Sequence, residues 1–280
     1  MKDMVVNGGV WQAGCVVNIE PGQAELLEQR GLAEALEDET PEPVRIIQQE
    51  TESVRDVLVF VPVYRLEPET VAAVMKLEWG GAISWLFQRD NPQPAMRDEL
   101  KRKVMNHYHQ YRRGRETFLK GSYDAMLIIE SDIIPPADTL KKLAAVGTDV
   151  AYGVYQFRGS DIVNIFERYP DNSGQKARNV GESLSVRQKV FKQAVRQGIY
   201  ACSGAGFGCV LIRRKVLEAV PFRVEYPQNG AYCDTWFTED VWKAGYSQAA
   251  DMSVICGHKD VDGTVLYPRM PVMQMRAMEA

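Results

Sequence analysis

From Asp56 onward the apolar positions fall into alternating strand and helix periods. "DVLVFVPVY" (56–64) is a continuous β-branched run, as expected of a strand buried on both faces. "EPETVAAVMKLEW" has helical spacing, and "AISWLFQRD" reads as a second strand. "PAMRDELKRKVMNHYHQYRRGRETFLKG" predicts a long helix, with a break expected at Gly114. "YDAMLIIESD", "PADTLKKLAAVG" and "DVAYGVYQF" continue as strand, helix and strand. This alternation predicts an α/β fold with a parallel sheet and helices on both faces. Beyond residue 160 the rhythm weakens. "VNIFERYP" suggests a strand, "DNSGQKARNVGES" a loop and "SVRQKVFKQAVRQG" an amphipathic helix. "ACSGAGFGCVLIRRKVLEAV" reads as a glycine-rich loop, then strand, then helix; "CDTWFTEDVWKAGY" as a helix; "DMSVICGHKD" as a late strand.

Upstream, residues 1–36 form a different unit. "MVVNGGVWQAGCVVNI" predicts two short strands about a turn at Asn7-Gly8-Gly9. "PGQAELLEQRG" predicts a short helix with Pro21 near its start and Gly31 at its stop. One hairpin and one helix bury little surface alone, so this module is expected to dock on the rest of the chain or on a protein partner. Residues 37–54, acidic and proline-bearing at first, read as a linker, which leaves 55–280 as the main domain.

Composition narrows the function classes. The 280 residues are 45% hydrophobic and 25% charged, enough for a sizeable core. A net charge of -4 gives no basic field for nucleic acid. No apolar run approaches the roughly 20 residues of a membrane helix, and the start lacks the apolar core of a secretory signal, so a cytoplasmic protein is expected. Five scattered cysteines with no C-x-x-C are expected to be reduced and mostly buried.

The chemistry gathers at predicted strand ends, where ligands of parallel α/β sheets bind. "LIIESDIIPP" closes a strand with Glu130 and Asp132, which strand alternation puts on one side. Paired carboxylates there either share a divalent cation such as Mg²⁺ or Mn²⁺ or form a solvated strand end, with Asp132 capping the next helix. "ICGHKD" places His258 at the end of a late strand, as a metal ligand or a structural histidine. His107 and His109 lie on the long polar helix, where a solvated face is expected. Gly204, Gly206 and Gly208 do not match a dinucleotide fingerprint and read as a close-approach loop or a plain turn.

Taken in order, these segments resemble nucleotide-sugar glycosyltransferases of the GT-A fold, family 2-like, over roughly residues 56–258. "VFVPVY" resembles the first strand, whose exit at Pro62 and Tyr64 contacts the nucleoside. "FQRDN" is similar to the second strand end, with Asp90 near the base. Glu130-Ser131-Asp132 resembles the D-x-D metal motif with glutamate in first place. The resemblance therefore implies Asp132 and His258 as metal ligands, with Glu130 on the metal or the ribose and Ser131 on the donor side. Arg115 resembles a donor-contact position, while its neighbours Arg112 and Arg113 read equally as a solvated helix face. "SGAGFGCVLIRRKVLEAV" is similar to the acceptor-side segment, with Gly204 and Gly206. "FTEDVWKAGY" resembles the motif whose acid acts as base, here Asp240 or else Glu239; an acid favoured by the helix dipole is the plain alternative. Trp236 sits beside it, for sugar stacking or core packing.

The resemblance implies a cytoplasmic, metal-dependent (Mn²⁺ or Mg²⁺) transferase. It would move sugar from a UDP- or GDP-linked donor to a hydroxyl of a glycan, protein or other acceptor, with inversion. A nucleotidyltransferase is a second reading, weakened because "VPVYRLEPE" lacks a glycine-rich basic loop. A third is a non-catalytic carbohydrate-binding or virion-associated module, since residues 1–36 resemble short modules of bacteriophage structural proteins. On that resemblance the chain would be phage-encoded and act in the host cytoplasm.

Overall fold

The structure is a computed structural model that describes residues 4–6, 9–11, 53–93, 97–160, 162–167, 178–179, 198–224 and 232–268. Strands β1 (Met4–Val6) and β2 (Gly9–Trp11) pair antiparallel with Val6 opposite Gly9, as the predicted hairpin requires. The turn residues Asn7 and Gly8, the expected helix beyond Pro21 and most of the 37–54 linker lie outside the described residues, as does Cys15.

The main body begins with β3 (Asp56–Pro62), followed by α1 (Pro68–Val74), β4 (Ala82–Gln88) and α2 (Glu99–Lys120). Then come β5 (Ala125–Ile129), the two-residue β6 (Ile133–Ile134), α3 (Thr139–Ala145) and β7 (Val150–Val154). Short strands β8 (Ile165–Glu167), β9 (Arg178–Asn179), β10 (Ile199–Ala201) and β11 (Gly204–Ala205) precede β12 (Cys209–Arg213). Helices α4 (Arg214–Ala219) and α5 (Cys233–Lys243) lead into β13 (Gln248–Ile255), β14 (Gly257–Lys259) and β15 (Val265–Leu266).

Seven strands make one sheet in the order β10-β13-β7-β12-β5-β3-β4. The sheet is mostly parallel, as expected of this α/β class, with two strands reversed. Strands β4, β3, β5, β7 and β13 run one way, while β12 is inserted antiparallel between β5 and β7, and β10 runs antiparallel to β13. Strand β12 is buried throughout, so its apolar pattern carries no sign of its direction. Helices cover both faces. One apolar cluster joins Phe60, Tyr111, Phe118, Met126 and Phe237, and the other joins Val59, Leu127, Leu140, Leu143 and Leu211. The described cysteines Cys202, Cys209, Cys233 and Cys256 are free and buried, as expected.

Helix α2 runs unbroken through Gly114, against the sequence expectation. The glycine serves close packing: a Cβ there would lie 2.7–2.9 Å from three atoms of the Phe60 ring. Gly114→Ala is therefore expected to destabilise the protein by about 1–3 kcal/mol in a denaturant titration, despite the better helix propensity of alanine.

The amino end of the sheet is tied by Asp124, whose carboxylate accepts the backbone N–H groups of Arg55 (2.8 Å) and Asp56 (2.9 Å). The Asp56 bond, with that of Arg55, outweighs desolvation and lowers the Asp124 pKa. A depressed folded pKa stabilises the fold above the unfolded value, near 4, and that contribution is lost as pH falls through the folded value. Asp124→Asn should thus lower the urea midpoint at pH 7 and narrow its difference from wild type near pH 2.

Candidate active site at the carboxyl edge of the sheet

Because five strands run the same way, their carboxyl ends share one edge, and β12 brings its amino end there: Glu130 N–H bonds to Gly208 O at 3.0 Å. The edge carries two groups of polar side chains, both electrostatically linked to Tyr155.

The first group surrounds Asp132. Strand β14 pairs with β6 so that His258 lies opposite Ile133, and Lys259 N–H donates to Asp132 O at 2.8 Å. Far-separated residues are thereby held together: His258 Nε2 stands 3.8 Å from Asp132 Oδ2. On the other ring nitrogen, Nδ1 lies 2.8 Å from Gln156 O. A carbonyl only accepts, so Nδ1 carries a proton. Nε2, turned to the carboxylate, donates to it when the ring is charged and offers a lone pair to an ion when the ring is neutral. The Lys259 ammonium fixes β14 further through Glu67 (2.8 Å) and Glu69 (2.6 Å) at the start of α1. Arg158 donates Nη2 to Asp132 Oδ2 and holds Lys259 O through Nε (2.9 Å) and Nη2 (2.7 Å). Burial would raise the Asp132 pKa, but His258 and the Arg158 charge together hold it below the usual carboxylate range.

Among the described residues no group of three or more His, Cys, Asp and Glu side chains is placed to hold a metal ion. Asp132 and His258 alone nevertheless suit a divalent cation that completes its shell with water and phosphate oxygens, the habit of Mg²⁺-type sites. A ring nitrogen held from behind by a backbone carbonyl, with the other turned to a carboxylate, is the usual second-shell arrangement of a ligating histidine.

The second group surrounds Glu130. Strand β5 stops at Ile129, and Ile133 N–H closes a turn on Glu130 O at 3.0 Å. The turn ends the strand alternation that was expected to put Glu130 and Asp132 on one side, and the two carboxylates take separate partners. Glu130 Oε1 accepts from Tyr111 Oη at 3.0 Å and faces His107 Nε2 at 3.3 Å. His107 Nδ1 lies 3.3 Å from Cys233 Sγ at the start of α5. Burial opposes charge on His107, but Cys233 and the Glu130 carboxylate outweigh it and hold the imidazole well above its usual range. Burial pushes the Cys233 thiol up. The next residue, Asp234, is electrostatically linked to both His107 and Glu130; burial first, then the Glu130 charge, raises its carboxyl above the usual range although His107 opposes this. Asp234 also acts on Tyr155, whose ring packs edge-on against His258 at 5.3 Å.

The other expected residues fall as follows. Pro62 ends β3, and Tyr64 beyond it is 69% exposed. Asp90 faces His109 Nε2 at 2.8 Å. His107 and His109 are thus both engaged at this edge, which corrects the solvated-face expectation. Ser131 is buried within the turn. Arg115 lies away from this cluster: Nε and Nη2 bond Leu217 O (2.6 Å) and Glu218 O (3.3 Å), capping the carbonyls of α4. A donor contact does not describe it. Asp240 forms a two-point pair with Arg223 (2.5 and 2.9 Å), and Glu239 pairs with Lys243 at 3.1 Å. Trp236 lies beneath the Arg223 guanidinium, 4.6 Å from its centre. The glycine segment is close-packed: a Cβ on Gly204 would meet Thr238 at 2.6 Å, and one on Gly206 would meet Tyr155 Oη at 2.4 Å. Gly204 also has φ +150°, a conformation L side chains rarely adopt.

Asp234 was not singled out in the sequence, and His107 was read as solvated although a signal for its inward place was present. Val104, His107, Tyr111, Gly114 and Phe118 recur at helical spacing, and His107 lies on that inward stripe. Two hollows, of about 330 and 480 Å³, open at the opposite end of the sheet, around Asp56, Ala82 and Gly81; they lie away from both polar groups.

No protein-family model and no curated protein matches the chain. Among solved structures, A197 from STIV is similar at 15% identity with a TM-score of 0.43, covering 78% of this chain and 96% of that one. S. aureus TarS 1–349 in complex with UDP is similar at 13% identity and a TM-score of 0.41, covering 70% of this chain and 57% of that one. At these scores the likeness carries no argument, and the α/β class rests on the mixed, mostly parallel sheet itself. No described helix is long and apolar enough to cross a membrane.

Proposed function

We propose that the chain is a metal-dependent glycosyltransferase that moves a sugar from a UDP- or GDP-linked donor to an acceptor hydroxyl with inversion. One observation carries the reading: His258 Nε2 faces Asp132 Oδ2 at 3.8 Å on the carboxyl edge, with Nδ1 committed to a backbone carbonyl. Asp132 and His258 would hold Mn²⁺ or Mg²⁺, with donor phosphate oxygens and water supplying the remaining ligands. Bound there, the ion would stabilise charge developing on the leaving diphosphate.

The chain's own residues do the rest. Lys259 and Gln156 fix the imidazole, while the turn at Ser131 sets Asp132 beside it. Asp234 takes the role of general base, in place of Asp240 and Glu239, which are engaged in ion pairs. Burial raises its carboxyl above the usual range, which makes it a stronger base than an ordinary aspartate. The His107 imidazole, itself facing Glu130, would favour the ionised form of that base. Asp90 and Tyr64 would meet the nucleoside at the ends of β4 and β3. The test is a screen of UDP- and GDP-sugars for slow, Mn²⁺-dependent hydrolysis by the full chain, expected for at least one donor. Nucleotide release from none of them, with or without metal, refutes the reading.

A further inference from the structure

Arg158 is absent from the roles assigned above, yet it occupies a telling position. Its Nη2 takes the same carboxylate oxygen, Asp132 Oδ2, that faces His258. The residue sits on a tight turn closed by Phe157 N–H to Ile162 O at 2.8 Å, with Gly159 at φ +64°. Its guanidinium is braced on Lys259 O, directly after His258. Asp132 and Arg158 together are neutral, so a divalent ion approaching that oxygen meets a positive group already seated there. A nucleoside diphosphate changes the balance, because its oxygens match the guanidinium fork and carry more than one negative charge.

We infer that Arg158 is a stand-in cation that holds Asp132 until a nucleoside diphosphate draws the guanidinium onto its phosphates, which makes metal binding dependent on nucleotide. This rests on the transferase reading and adds an order of binding to it. The metal site in the nucleotide-free protein is then weak because it is covered, and the arginine becomes a diphosphate contact once the carboxylate is released.

The test is Mn²⁺ binding to the full chain, read from the free-ion EPR signal, with and without UDP or GDP. Without nucleotide, Arg158→Gln should bind Mn²⁺ on the order of tenfold more tightly than wild type, the scale expected for removing one nearby charge at a partly exposed site. Nucleotide should then strengthen Mn²⁺ binding less in the variant than in wild type. Arg158→Lys keeps a positive charge beside Asp132 and should bind Mn²⁺ less tightly than the glutamine variant. The arginine is about a third exposed on a turn, so both variants should melt near wild type by circular dichroism. Equal or weaker Mn²⁺ binding by the glutamine variant overturns the inference. So does a lysine variant that binds as tightly as the glutamine one, or a lack of Mn²⁺ binding by all three proteins. Donor hydrolysis by wild type with unchanged binding in Arg158→Gln refutes the arginine role alone; absence of any hydrolysis refutes the transferase reading.

Discussion

Asp132→Asn should lower Mn²⁺-dependent donor hydrolysis by at least about 10²–10³-fold, the range seen when one group stabilising transition-state charge is removed. The substitution keeps the shape of the side chain. The backbone bond from Lys259 N–H to Asp132 O is untouched, so β14 and His258 should remain in place. Only the anionic oxygen shared by Arg158 and His258 is lost. The check is steady-state release of UDP or GDP beside a thermal melt. A variant that melts like wild type and still hydrolyses donor at the wild-type rate would remove Asp132 from the mechanism. A variant that unfolds would be replaced by Asp132→Glu, which keeps the charge but displaces it.

The second large effect concerns the base. Asp234→Asn should reduce sugar transfer by about 10²–10⁴-fold, the usual contribution of a positioned proton acceptor, while donor affinity changes little. Asp240→Asn should leave turnover within a few-fold of wild type and cost about 1 kcal/mol of stability through its half-exposed pair with Arg223. The sign of the pH dependence follows from burial: the Asp234 carboxyl titrates above the usual range and works only when ionised. Activity should therefore fall on the acid side at a pH higher than an ordinary aspartate would give, about 4. Paired kinetics of the two variants decide the assignment. Loss of transfer in Asp240→Asn with full activity in Asp234→Asn reverses it.

Strands β3, β5 and β7 were legible because burial on both faces leaves long apolar runs, while the edge strand β4 was legible from its apolar and aromatic residues despite partial exposure. Direction was not legible. Strand β12 pairs antiparallel with both neighbours, and a strand buried throughout reads alike either way. The Asp132–His258 approach needed more than strand ends, since it depends on the β6–β14 register, a two-residue pairing too short to leave a period. Glu130 parted from Asp132 because the strand stops with its apolar run at Ile129, three residues short of Asp132, and a turn replaced the alternation. Asp234 was passed over for a different reason. The acid pair at 239–240 drew attention along α5, while the helix start, six residues earlier, is the end that reaches Glu130 and His107. Arg115 shows the converse, since a cation on a polar helix leaves no mark of whether it meets a ligand or the carbonyls of a neighbouring helix.

The central claim is that Asp132 and His258 grip one divalent ion together with a nucleoside diphosphate. It is tested most directly by counting Mn²⁺ bound to wild type and to His258→Ala in the presence of saturating UDP or GDP. One ion per wild-type chain, lost or weakened at least tenfold in the variant, is the result expected. Equal Mn²⁺ binding by both proteins would contradict the account, since the imidazole would then stand beside the carboxylate for some other purpose.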